Sequence, residues 1–214
     1  MVTYNAALED FVRSTFAAED EVLISVREQI PARGLPAITI RPEEGRFLQL
    51  LVAAARSMRA LEIGTLGGYS TIWIARGLPK EGHLIALEQN PNHAAVAQEH
   101  FILAGLAHMI DLRIGDAHAL LPGLVSEGPF DFIFIDAEKT GYPAYLDWSL
   151  ENLSPGGVVT AHNAFRHGSI LDPNSPDAAT LAMREFNHRL NTDPRLISTI
   201  FPAGDGIGIG VMRS

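Results

Sequence analysis

The chain has 214 residues, 47% of them hydrophobic and 19% charged, which is enough apolar content for a sizeable core and excludes disorder as the main state. It contains no cysteine, so disulfides, thiolate metal sites and a cysteine nucleophile are excluded and a reducing compartment fits. Lys and Arg number 16 against 25 Asp and Glu, a formal charge of -9; with no basic run to neutralise phosphates, no nucleic-acid partner is expected.

From the N-terminus, Met1–Asp10 shows neither the basic start nor the apolar run of a cleavable signal, and no segment has the roughly 18 apolar residues of a membrane span. The expectation is a cytoplasmic protein away from the membrane. Leu8, Phe11, Val12 and Phe16, then Val22, Leu23, Val26 and Ile30, recur at helical spacing until Pro31, Gly34 and Pro36 stop the run. A further helix follows Pro42, its apolar positions running from Phe47 to Met58, with Glu43 and Glu44 at the positive end of the dipole. The rhythm then changes to short apolar runs alternating with helices. Strands are predicted at 60–63, 83–87, 110–114, 130–135 and 157–161. The intervening helices start near Ser70, span about 91–104 and 118–125, and carry Tyr145, Leu146, Leu150 and Leu153. Gly168–Asp177 reads as a long loop before a helix at 178–191, and strands at 196–201 and 207–212 flank a hairpin-like Pro202–Gly206 turn. Five successive β-then-α units predict an α/β fold, a parallel sheet with helices on both faces.

In such sheets a ligand sits beyond the carboxyl ends of the strands. The first strand ends in Glu62-Ile63-Gly64-Thr65-Leu66-Gly67-Gly68-Tyr69-Ser70. Counted from Gly64, the dinucleotide fingerprint would need glycines at Leu66 and Tyr69, so it fails, which disfavours a nicotinamide-dependent oxidoreductase. Glu62 suits a cationic ammonium better than a pyrophosphate. Glu88, ending the second strand, suits a ribose diol. Gly115-Asp116-Ala117-His118 reads either as a bracket for adenine or as an ordinary helix cap at Asp116. Asp136, His162 and Asn163 stand at the ends of adjacent strands, as a metal set or, for the last two, as loop caps. His83, His93, His100, His108 and His188 have no partner pattern and read as surface or packing residues.

Three stretches carry a resemblance: Glu62 to Ser70, Phe130 to Lys139, and Gly204-Asp205-Gly206-Ile207. Together, in this order, they resemble the class I S-adenosylmethionine-dependent O-methyltransferases of the catechol and caffeoyl-CoA type, over about Ile38 to Val211. The resemblance implies a Rossmann-like methyltransferase fold with a seven-stranded sheet, its last strand antiparallel, and a homodimer. Residues 1–40 would be a helical extension and 41–214 the core of one domain. It also implies roles: Glu62, Gly64 and Ser70 at the methionine moiety, Ile40 as a contact from the N-terminal segment, Glu88 at the ribose, and Ala117 with His118 at the adenine. Asp136 would touch both S-adenosyl-L-methionine and a divalent metal, Lys139 would stand at the substrate hydroxyl, and His162 and Asn163 would complete the metal ligands. The family usually has Asp-Asn where this chain has His162-Asn163, Asp is common at Glu138, and His167 stands where related plant enzymes have a substrate-contacting Asn. Imidazole moves preference from Mg²⁺ toward Mn²⁺, Zn²⁺ or Fe²⁺.

The expected reaction is methyl transfer to a hydroxyl of a small catechol-like or phenolic substrate. The metal would acidify that hydroxyl and a neutral Lys139 would take its proton. The alternative, raised by His162, is a metal-independent methyltransferase or a non-catalytic S-adenosylmethionine-binding module.

Overall fold

The computed structural model describes residues 5–214; the first four residues of the predicted N-terminal stretch lie outside them. Helix α1 (Ala6–Phe16) is capped by Asn5, whose side chain accepts the Ala7 and Leu8 N–H groups, and α2 (Glu21–Ala32) is capped by Asp20. Helix α2 buries Leu23, Val26 and Ile30, whereas α1 buries no residue and is tied down by the Arg13–Glu43 and Arg41–Glu9 ion pairs. Helix α3 (Pro42–Ala54) opens on a proline and stops short of the predicted Met58. The chain turns at Arg56, φ 52°, and the Met58 N–H donates to Asp131 at 2.8 Å, steering it into β1 (Arg59–Ile63).

Alternation then follows: α4 (Tyr69–Ala75), β2 (His83–Glu88), α5 (Pro91–Leu103), β3 (Ile110–Ile114), α6 (Ala117–Leu120), β4 (Phe130–Ile135), α7 (Tyr142–Asn152), β5 (Leu153–Ala161), α8 (Ala178–Thr192), β6 (Leu196–Phe201) and β7 (Ile207–Met212). The helix expected at 118–125 divides into α6 and a 3-10 segment, Leu121–Glu127, that opens on Pro122. The predicted long loop is shorter than expected. Arg166–Leu171 winds into 3-10 turns, and the Arg184 guanidinium donates to the Ile170 carbonyl from α8.

The seven strands form one sheet in the order β3-β2-β1-β4-β5-β7-β6, with β7 antiparallel to both its neighbours and the other pairings parallel. Successive strand residues face opposite layers, and both layers are apolar. Ala60, Leu84, Phe132 and Phe134 pack under α2 to α5, while Leu61, Ile85, Ile133 and Ile135 pack under α7 and α8. The strand order reverses between β1 and β4, which opens a crevice at their carboxyl ends. Among the described residues no helix is long and apolar enough to cross a membrane.

Candidate active site

The carboxyl ends of β1 to β5 open on a cavity of about 1300 Å³, flanked by residues 37–41 ahead of α3 and by 165–168, 170 and 171 after β5. After β1 the backbone takes left-handed angles at Gly64 (φ 94°), Leu66 (φ 50°) and Gly68 (φ 85°). A Cβ on Gly64 would collide with the Asp136 carbonyl, so the turn passes β4 closer than any side chain permits. Two neighbours hold it. The Leu66 N–H donates to Glu88 Oε2 at 2.7 Å, and His100 Nδ1 lies 2.7 Å from the Gly67 carbonyl oxygen.

Glu62 is wholly buried behind Gly64, Thr65 and Ser70, which line the cavity where it does not. Its carboxylate accepts from Ser70 Oγ at 2.5 Å, Thr65 Oγ1 at 3.2 Å and Thr71 Oγ1. Burial pushes its carboxyl up to about 7, against the pull of these hydroxyls. Glu88 faces the cavity from β2 and also accepts the Asn90 N–H at 2.8 Å. Ile40, Gly115 and Ala117 line the cavity too. His118 sits outside this lining: its ring stacks on Tyr145 at 4.6 Å, and Nε2 lies 3.2 Å from Glu138.

Asp136, at the end of β4, is ringed by cationic groups. Its Oδ1 accepts from Lys139 Nζ at 2.8 Å, and its Oδ2 lies 3.3 Å from His162 Nδ1. Burial alone would raise the Asp136 carboxyl, but Lys139 and His162 hold it well below the usual carboxylate range. The other His162 nitrogen, Nε2, lies 3.1 Å from Glu44 Oε1. Burial alone would lower the imidazole pKa, yet Asp136 and Glu44 push it up to about 10. Lys139 Nζ also donates to the Ala137 carbonyl at 3.0 Å and to the Tyr142 hydroxyl at 2.7 Å. Three acceptors match the three protons of an ammonium; the neutral base expected from the sequence would have one proton fewer. Asn163, φ 61°, donates its amide to Asp205 at 2.9 Å.

These side chains do not fit the expected divalent ion. Imidazole binds a metal through an unprotonated nitrogen, whereas each His162 nitrogen faces a carboxylate oxygen, the arrangement of an imidazolium donating twice. Both Asp136 oxygens are likewise engaged. Among the described residues, no three His, Cys, Asp or Glu side chains converge as ligands. A carboxylate–imidazolium–carboxylate chain, Glu44–His162–Asp136, occupies the place instead.

The structure thus gathers Ile40, Gly64, Ser70, Glu88, Ala117, Asp136, Lys139, His162 and Asn163 around one cavity, with Glu62 behind its wall and His118 beside it. Sequence reasoning missed Glu44, Tyr142, Asp205 and His100 as parts of the site. Glu44 carried a visible signal only as a first-turn acidic residue, and His100 carried none.

Residues 13–213 match the family described as O-methyltransferase. Curated relatives include a catechol O-methyltransferase of Niastella koreensis, 43% identical over 97% of each chain. A catechol O-methyltransferase of Mycobacterium tuberculosis is 37% identical over 96% of this chain and 95% of that one. The crystal structure of an O-methyltransferase from Bacillus cereus in complex with SAH superposes with a TM-score of 0.91, at 37% identity and 97% coverage of both chains.

Proposed function

The chain belongs to the O-methyltransferase family, as an S-adenosylmethionine-dependent enzyme, and from that premise we propose that it methylates a hydroxyl of a small phenolic or catechol-like molecule without a divalent metal. The observation that carries the metal-free reading is His162, with both ring nitrogens turned to carboxylates. The names of the catechol O-methyltransferases among its relatives support the substrate class.

In this reading Glu88 accepts from the ribose hydroxyls. Its carboxylate has lone pairs beyond those used by Leu66 and Asn90. Gly64 and Ser70 meet the methionine end, and Glu62 acts through them by fixing the Ser70 hydroxyl. Ile40 packs on the cofactor, and Ala117 borders the adenine. His118 serves that border indirectly, through its stacking on Tyr145. Lys139 is the cation at the acceptor oxygen. A phenol near pKa ~10 is mostly protonated at neutral pH and a poor nucleophile, so a fixed cation that favours the phenolate raises the reactive fraction. The His162 imidazolium, held in place by Glu44, puts its positive charge beside Asp136, where the expected ion would have supplied it. The homodimer and the cytoplasmic setting belong to the same reading. Phe11 and Phe16 on α1, 56% and 63% exposed and packed edge to face on each other, offer apolar surface to a second copy; a monomer in sedimentation would remove the homodimer.

The test is turnover of a catechol after exhaustive chelation, then with Mg²⁺, Mn²⁺, Zn²⁺ or Fe²⁺ added back. Activity should survive the chelator and change less than about twofold with any ion. Loss in chelator with recovery on one ion would overturn the metal-free reading.

A further inference from the structure

Chelation is what makes two adjacent hydroxyls useful: a bidentate acceptor on an ion has one oxygen aligned for attack. Here the protein itself fills that second anchoring place. Asp136 Oδ2 faces His162 Nδ1, His162 Nε2 faces Glu44, and the Asn163 amide is drawn 2.9 Å from Asp205. Lys139 Nζ is left as the cationic donor that lines the cavity beside Asp136. Around it the walls offer apolar surface for an aromatic ring from Ile38, Phe165, Ile170 and Leu171.

We propose that the site methylates phenols bearing a single hydroxyl, held as phenolates against the Lys139 ammonium, and that a second adjacent hydroxyl is dispensable. The proposal rests on the metal-free reading above. The phenol proton goes to bulk water as the oxygen settles beside the ammonium, in place of one of the three acceptors now around Nζ. An oxygen lone pair forms the O–CH₃ bond. The S–CH₃ bond breaks with its electron pair left on sulfur, so the sulfonium becomes a neutral thioether. A phenolate and a sulfonium become two neutral products, and nothing is oxidised or reduced. Lys139 keeps its three protons throughout.

The experiment compares catechol with phenol, and caffeate with 4-hydroxycinnamate, in chelator at saturating S-adenosylmethionine, reading S-adenosylhomocysteine formation. The monohydroxy members should reach kcat/KM within about tenfold of their partners, since they forgo one hydrogen bond rather than a chelate. If catechol turnover persists in chelator while the monohydroxy compounds lie more than about a thousandfold below, the single-hydroxyl inference falls and the metal-free reading stands. If catechol turnover itself stops in chelator and returns with an ion, both fall. A second readout does not depend on turnover. 4-Nitrophenol, added to the S-adenosylhomocysteine complex in chelator, should show its yellow phenolate band at a pH about one unit below that in free solution. Lys139→Met should abolish this difference. An unshifted spectrum in the parent overturns the proposal.

Discussion

Glu44 divides its carboxylate between a helix and a site. Oε2 accepts the Arg41 N–H at 2.7 Å and closes the first turn of α3, while Oε1 faces His162, 118 residues further along the chain. A Cβ on Gly204 would collide with this carboxylate, so the β6–β7 turn presents a glycine where Glu44 passes. His162→Asp would leave carboxylates at 44, 136 and 162 with no imidazolium between them. Like charges that close cannot all ionise without a cation, and a hard divalent ion is the relief that oxygen ligands favour. Titration calorimetry of His162→Asp with Mg²⁺ or Mn²⁺ should therefore show binding in about the micromolar to millimolar range, against no heat from the parent. A silent variant would mean that the pocket's shape, rather than residue 162, decides against the ion. Asp136, Lys139 and His162 were legible in the sequence because each sits at or just past the end of an apolar run. Glu44 was not, because periodicity sees only the helix that it starts.

The turn after β1 is an element whose shape is set from outside. Gly67 has no room for a side chain against Ile30 of α2, and Gly68 has none against Phe101 of α5. The Gly67 carbonyl, enclosed between these helices, meets His100 Nδ1, whose own residue is 1% exposed. Leaving a buried carbonyl without a donor costs about 1–3 kcal/mol, and here that cost would fall on the Gly67–Gly68 peptide, in the same turn as the Leu66 N–H that Glu88 holds. His100→Leu should weaken S-adenosylmethionine binding by about tenfold while kcat at saturation stays within about twofold. His100→Asn, which places an amide N–H near the former Nδ1, should recover most of the affinity. Calorimetry beside thermal unfolding separates positioning from mere packing: a Leu variant that loses thermal stability at parental affinity would assign His100 to the core alone. At this scale the sequence reads well where periods are long. The strands of the sheet and the helices α2, α5 and α8 follow from alternation and caps. The 3-10 turns at Arg166–Leu171 escape it, because their left-handed angles at Arg166 and His167 belong to residue types that rarely adopt them. His100 escapes because a helix that carries two imidazoles, His93 and His100, gives no sign of which of them is buried or which carbonyl it meets.

Across the whole molecule, the perturbed groups point to one pH dependence. Glu62 and His162 both bind protons more tightly folded than unfolded, with folded values of about 7 and about 10. Their stabilising contributions are complete below the unfolded values, about 4.3 for Glu and about 6.5 for His, and fade as pH rises through the folded ones. Burial raises the hydroxyls of Tyr69, Tyr142 and Tyr145 as well, so they extend the loss above about pH 10. Asp136 acts in the other direction: its contribution is present above the ordinary Asp value, about 3.8–3.9, and is lost as pH falls toward its depressed one. A chain already at -9 gains negative charge on the alkaline side, and self-repulsion adds to the decline. The thermal midpoint should therefore peak at about pH 5–6 and fall by several degrees by about pH 9.5, since about 1 kcal/mol moves it roughly 2–4 °C at this size. His162→Gln removes the group whose pKa is about 10 folded and about 6.5 unfolded while keeping an amide to face Asp136 or Glu44, so its alkaline decline should be shallower than the parent's. Scanning calorimetry of both proteins at about pH 5.5, 7.5 and 9.5 decides it. Parallel curves would place the alkaline loss on the tyrosines and net charge, and a parent midpoint that rises with pH would remove the imidazolium from the Glu44–His162–Asp136 chain.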